Sequence, residues 1–362
     1  MELDELLAMT VAKGASDLFL KVGVPPSVRI VGEIVNLGEE ALTENNIKEM
    51  FNKMATERAR KEFEDSNEMD LSYEIEKVGR FRVNVFRQRG HLGMALRYVK
   101  SRIPTFEELN LPVEQLRRIS LLPRGLILVT GIAGSGKSTT LAAMIGFVNC
   151  NAQKHIVTVE DPIEFSFSDA KSIIDQREVG EDTKTFNSAL KHVLRQNPDL
   201  IMIGEMRDKE TIESALNAAE SGHLVLSTLH TVNAMQAVER IMSLFPPHQH
   251  DFLRLQLSQL LQGVISQRLI KTKDGTGLVP AVEIMLATPT IKELLLSGKT
   301  NELYKAIKEG AYYGTQTFNQ ALMVLLQKDI ISIDDALKAA DNPEELKLEL
   351  RGIIKGGGTS FR

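Results

Sequence analysis

Gly125-Leu126-Ile127-Leu128-Val129-Thr130-Gly131-Ile132-Ala133-Gly134-Ser135-Gly136-Lys137-Ser138 decides the fold of this 362-residue chain. The apolar run Leu126 to Thr130 reads as a buried strand, Gly131 to Ser138 fits G-x-x-x-x-G-K-[ST], and the stretch Thr139 to Phe147 reads as a helix. Strand, glycine-rich turn and helix in that order make a phosphate-binding loop. The glycines let backbone N–H groups curl around phosphate oxygens, Lys137 brings a charge to the β- and γ-phosphates, and the Ser138 hydroxyl suits Mg2+. The expected binding set is Gly131, Ile132, Ala133, Gly134, Ser135, Gly136, Lys137, Ser138 and Thr139, with ATP and Mg2+ as the implied ligands. A chance glycine-rich turn is the alternative, and the flanking strand and helix weigh against it.

Such a loop needs an acidic group beneath the metal, usually at the end of another apolar strand. Asp199-Leu200-Ile201-Met202-Ile203-Gly204-Glu205 supplies one, making Glu205 the candidate for the Mg2+ water shell, against a merely solvated Glu. A second acidic turn, Glu160-Asp161-Pro162-Ile163-Glu164, follows the strand Ile156 to Val159. Glu164 or Glu160 could polarise an attacking water there, or the turn could be purely structural. His223 and His230 flank the strand Leu224 to Thr228. Phosphate contact and ordinary hydrogen bonding weigh equally for them, and Thr231 beside His230 at the strand exit favours contact.

Before this region the first hundred residues read as a small α+β domain. A helix with Leu3, Leu6 and Leu7 on one side ends at Gly14, a strand covers Asp17 to Leu20, and Thr43 caps a helix carrying Ile47, Met50, Phe51 and Met54. Phe81, Val83 and Val85 alternate with Arg80, Arg82 and Asn84, and Leu92, Met94, Leu96 and Tyr98 oppose Arg97. Arg82 and Arg97 are thus expected on one polar sheet face. They are candidates for transition-state charge, or a plain exposed pair on a solvated strand.

Residues 101–112 read as a linker in which Thr105 and Glu108 form a capping box for a short helix. The β-then-α rhythm of 113–355 predicts a mostly parallel sheet, with helices dominating after Pro246-Pro247 on the spacing of Leu257, Leu260, Leu261, Val264 and Ile265. The Gly-rich 356–362 is expected to be a flexible tail.

Composition removes whole classes of function. No apolar run is long enough to cross a bilayer, and Glu2, Asp4 and Glu5 are the wrong charge for a secretory signal, which predicts a cytoplasmic chain. The net charge of −5 disfavours nucleic acid as a partner. Cys150, the single cysteine, lies in an apolar helix, is expected to pack, and offers no disulfide.

The blocks Gly131–Ser138, Thr158–Glu164, Arg195–Asp199 with Gly204-Glu205, Ser221-Gly222-His223 and Thr228-Leu229-His230-Thr231 together resemble the secretion-type ATPases of type IV pilus and type II secretion machines. Gln176–Gly180, Gln267-Arg268-Leu269 and Gly79–Val83 extend the match over nearly the whole chain. No tetracysteine insertion is present, so the resemblance is to the shorter PilT/PilU-type retraction ATPases. It implies a PAS-like α+β N-terminal domain followed by a RecA-like P-loop ATPase domain. It also implies a homohexamer that hydrolyses ATP and drives pilus retraction and twitching motility.

The further implied partners are a paralogous retraction ATPase and an inner-membrane platform protein, met at the cytoplasmic face of the inner membrane. Contact with the membrane would be only peripheral, through the pilus machine. On the same pattern Glu164 becomes the general base, Arg82 and Arg97 arginine fingers, and His230 a γ-phosphate contact. Two departures stand out. Ile132-Ala133 replaces the common Pro-Thr, and Thr290-Ile291-Lys292-Glu293-Leu294-Leu295-Leu296-Ser297 replaces the charged Ala-Ile-Arg-Asn-Leu-Ile-Arg-Glu helix of PilT-type enzymes. The second departure resembles PilU-type chains. An accessory nucleotide-binding ring is therefore the alternative to an autonomous motor, and a DNA-translocating motor is disfavoured.

Overall fold

The computed structural model describes residues 2–352. The described residues form two compact units, 2–102 with 163–166, and 103–162 with 167–352.

In the first unit, strands β1 (Asp17–Lys21), β2 (Ser27–Ile30), β3 (Glu33–Asn36), β4 (Glu68–Ile75), β5 (Gly79–Gln88) and β6 (His91–Tyr98) form one sheet in the order β3-β2-β1-β6-β5-β4. Every pairing in it is antiparallel. Period-two alternation sends Phe81, Val83, Val85, Met94 and Leu96 into a core shared with Leu3, Leu6 and Leu7 of the helix Leu3–Ala12. Ile47, Met50 and Phe51 of the helix Glu44–Met54 join it. Thr43 caps that second helix, its side chain accepting from the Asn46 N–H.

The second unit is built on β7 (Gly125–Thr130), β8 (His155–Glu160), β9 (Ile173–Glu178), β10 (Leu200–Ile203), β11 (Leu224–Leu229), β12 (Leu261–Lys271) and β13 (Leu278–Leu286), ordered β13-β12-β7-β11-β10-β8-β9. Only β13 is antiparallel to its neighbour. Leu126 and Leu128 of β7 enter one core, and Ile127 and Val129 enter the core on the opposite face with the helix Lys137–Asn151. Both faces are covered, so central strands read as unbroken apolar runs. The α/β class and the mostly parallel second sheet agree with the sequence.

Three local expectations need correction. The helix begun at His250 ends at Leu260, and Leu261, Val264 and Ile265 lie in β12. A strand buried on both faces between β7 and β13 has no polar alternation, and its apolar residues mimic a helical stripe. Thr105 and Glu108 do exchange hydrogen bonds, 3.0 and 3.2 Å, yet they close a turn and no helix follows. Cys150 sits on the helix Lys137–Asn151 but is exposed. The 356–362 stretch lies outside the described residues. Among the described residues no helix is long and apolar enough to cross a membrane.

Candidate nucleotide site

The phosphate loop leaves the carboxyl end of β7 and enters the helix Lys137–Asn151, so the first N–H groups of that helix have no intrahelical carbonyl partner. Two glycines are required by space as well as by φ. A Cβ on Gly131 (φ 151°) would stand 2.3 Å from Ser135 Oγ and 2.6 Å from the Gln267 carbonyl oxygen. One on Gly136 (φ 90°) would stand 2.7 Å from Gln267 Nε2. Gln267 of β12 therefore forms the floor of the loop, and its Oε1 accepts from Thr140 Oγ1 at 2.7 Å.

Lys137 is buried and donates to the carbonyls of Gly131 (2.8 Å) and Ile132 (2.9 Å), leaving a further N–H of its ammonium for a ligand. Burial lowers its pKa, opposed by the charge of Glu205. Ile132, Ala133, Gly134 and Ser138 are exposed and Thr139 is half-buried, so the loop opens to solvent.

Glu205 follows β10. Its neighbour Gly204 donates its N–H to the Val159 carbonyl at 2.8 Å and accepts from Thr228 Oγ1 at 2.7 Å, which ties the strand exit to both β8 and β11. The carboxylate is 13% exposed, pairs with Arg207, and lies 3.5 Å from Nε2 of His230, which is 55% exposed. Lys137, Glu205 and His230, from different strand ends, thus converge at the carboxyl edge of the sheet, where open α/β sheets bind ligands. Two buried hydroxyls, Ser135 Oγ in the loop and Thr231 Oγ1 beside His230, have no hydrogen-bond partner. Orphaned donors, backbone glycines and a buried ammonium suit a polyphosphate anion.

Of the other expected residues, Glu160 lies at this same carboxyl edge, with its Cα 3.4 Å from where a Cβ on Gly204 would stand, and His223 lies elsewhere. Glu160, at the end of β8, is buried and accepts from Thr158 Oγ1 (2.7 Å) and Gln176 Nε2 (3.1 Å). His223 precedes β11, its carbonyl accepting from Gly125 N–H at 3.0 Å, and its Nδ1 sits 3.0 Å from the Ala218 carbonyl oxygen. It is therefore at the amino edge of the sheet, the length of β11 or about 20 Å from the phosphate loop. Within this unit His223 therefore does not line the phosphate loop, because parallel strands put their two ends on opposite edges.

The first unit carries the remaining candidates. Arg82 and Arg97 are register partners on β5 and β6 and so share one face, and Arg97 Nε donates to Asp17 at 2.9 Å. Glu164 is exposed on a segment joined to the strand end at Lys100, where Ser166 N–H donates to the Lys100 carbonyl at 2.9 Å. Gln267 and Arg207 were not singled out by sequence as site residues. The Gln267-Arg268-Leu269 block marked the place of Gln267, but nothing in its spacing pointed beneath the phosphate loop.

Comparison with known proteins places this site in a family. The profile described as type II/IV secretion system protein matches residues 45–309. The chain is 42% identical to the type IV pilus ATPase PilU of Pseudomonas aeruginosa, over 97% of its length and 92% of that protein. It is 44% identical to the type IV pilus retraction ATPase PilT of the same organism, over 95% of this chain and 99% of PilT. Overall identity does not separate the two types. The crystal structure of the pilus retraction motor PilT with bound ADP superposes with a TM-score of 0.87 at 43% identity, covering 96% of this chain and 99% of that one. The chain is a P-loop ATPase and belongs to the type II/IV secretion system protein family.

Proposed function

We propose that this ATPase is a motor for type IV pilus retraction, working as a homohexamer with ATP and Mg2+. The observation that carries the reading is the convergence of buried Lys137 with Glu205 and His230 at a loop that admits no side chain at Gly131 or Gly136. Near-full-length similarity to PilT and PilU supplies the machine. Lys137 and the loop N–H groups hold the phosphates, and His230 contacts the γ-phosphate. Ser138 would hold Mg2+ directly and Glu205 through water, and the bound ion would neutralise charge on the β- and γ-oxygens. Glu164 takes the proton of the attacking water, and Arg82 and Arg97 meet the charge that develops on the transferred phosphoryl group.

The proposed setting is the cytoplasmic face of the inner membrane at the pilus base, with a platform protein and a paralogous retraction ATPase as partners. Steady-state turnover and nucleotide affinity, measured together, test the chemistry. Glu164→Gln should keep ATP affinity and lose roughly 10²-fold or more in kcat. Wild-type turnover in that variant would sink the assignment.

One observation favours a second reading, an accessory ring supporting a principal motor. In the helix Pro289–Ser297, Ile291, Leu294 and Leu295 are buried, and Leu296 (51% exposed) and Ser297 face solvent where the retraction type carries its second Arg-Glu pair. Retraction in cells lacking the paralogous motor decides between them, and autonomous retraction would exclude a purely accessory role.

A further inference from the structure

Glu283 is a carboxylate that the proposed chemistry does not use. It sits in β13, 2% exposed, opposite Ser266 of β12, which in turn is the register partner of Thr130, the last residue of β7 before the phosphate loop. The three side chains form a polar chain across three strands. Thr130 Oγ1 donates to Ser266 Oγ at 3.0 Å, Ser266 Oγ donates to Glu283 Oε1 at 3.2 Å, and the same oxygen accepts the Ala234 N–H at 2.7 Å. Thr130 and Ser266 are both fully buried.

Ala234 opens the helix Ala234–Ser243, and the short segment between β11 and that helix is His230-Thr231-Val232-Asn233. Asn233 caps the Gln236 N–H at 2.9 Å, so Glu283 satisfies a different first-turn donor from a strand distant in sequence. A second brace comes from Arg268, whose guanidinium stacks 3.8 Å over Phe318, pairs with Asp341 and donates to the Val232 carbonyl at 3.4 Å. The segment carrying His230 is thereby held from both sides, and one of those holds runs without interruption to the base of the phosphate loop.

We propose that Glu283 is a positioning residue for phosphoryl transfer. Through Ser266 and Thr130 it fixes the register of the His230 segment against the phosphate loop, so that the histidine meets the phosphate only when the loop is in place. A buried hydrogen-bonded chain of this kind holds its members in one arrangement, because a shift of any member breaks a bond of its neighbour. The inference rests on the reading of His230 as a phosphate contact.

The test is a double-mutant cycle on the full chain at pH 8, reading kcat and KM for ATP and the affinity for a fluorescent ADP analogue. Glu283→Ala should lower kcat by roughly tenfold or more, as misplacement of a reacting group does. ADP affinity should stay within about twofold, because the phosphate loop itself is intact. Glu283→Gln, which keeps an acceptor oxygen for Ala234, should restore kcat to within about threefold. In a His230→Ala background, Glu283→Ala should cost little more, since a positioning residue has nothing left to position.

Wild-type kcat in Glu283→Ala, an additive loss in the double variant, or a parallel fall of kcat and ADP affinity would each overturn the inference. Should Glu283→Ala fail to fold, Ser266→Ala cuts the same chain while leaving the Ala234 bond, and the same cycle is read with it. Full activity in His230→Ala would instead refute the histidine assignment itself, and the positioning claim with it.

Discussion

Replacing Glu283 with Gln should change how stability depends on pH. Burial raises the pKa of Glu283 from about 4.5 to about 7, with Asp341 adding to the rise, while the Ala234 N–H, the Ser266 hydroxyl and Arg268 oppose it. Below pH 4.5 the group is protonated whether the chain is folded or not, and it makes no pH-dependent contribution. Between about 4.5 and 7 the unfolded chain has released a proton that the folded chain still holds, so stability falls as pH rises. Above 7 the full cost of an ionised buried carboxylate is present, about 3 kcal/mol for a shift of this size. Gln does not titrate. The melting temperature of Glu283→Gln relative to wild type should therefore climb between pH 5 and pH 8, by roughly 5 °C for a unit of this size. Arg268 and Asp341 are the charged groups that act on Glu283. Scanning calorimetry of both proteins at pH 5, 6, 7 and 8, at matched ionic strength and without nucleotide, gives the answer. Parallel melting curves across the range would refute the view that Glu283 enters the folded core protonated near neutrality.

Gly136→Ala places a Cβ 2.7 Å from Gln267 Nε2 in a left-handed backbone. It should cost about 2 kcal/mol of stability and weaken nucleotide binding at least tenfold by calorimetric titration, with partial recovery of binding in Gly136→Ala/Gln267→Ala. Arg97→Ala breaks an ion pair with Asp17 whose arginine is largely exposed, so it should shift unfolding in urea by no more than about 1 kcal/mol. A large loss of ATP turnover in the same variant would then belong to chemistry rather than folding, and unchanged turnover would remove Arg97 from the proposed site.

The placements legible in the sequence are those carried by contiguous residues. Gly131 to Ser138 sits between strand and helix because its neighbours in the chain are its neighbours in space, and Glu205 is presented by the strand that ends beside it. The pairing of Arg82 with Arg97 followed from period-two alternation in adjacent strands of an antiparallel sheet, where register preserves the face. His230 at the exit of β11 was legible for the same reason.

What tertiary structure alone decided depends on which strands lie side by side. Leu261 to Ile265 has a helical stripe in its sequence, and only pairing of β12 between β7 and β13 makes it a strand, since burial on both faces erases the alternation that would have revealed it. That pairing also carries Gln267 under the phosphate loop and Ser266 against Thr130, and β13 brings Glu283 to the helix behind His230. Cys150 is exposed in the last turn of a helix whose Thr140 to Ile145 are buried without a break, and an apolar neighbourhood in sequence does not say which of its residues are left outside. His223 fell to the far edge because parallel strands put their starts and ends on opposite edges. Local chemistry is written in neighbouring residues; the residues that support it are recruited by long-range pairing, which no single segment of the chain encodes.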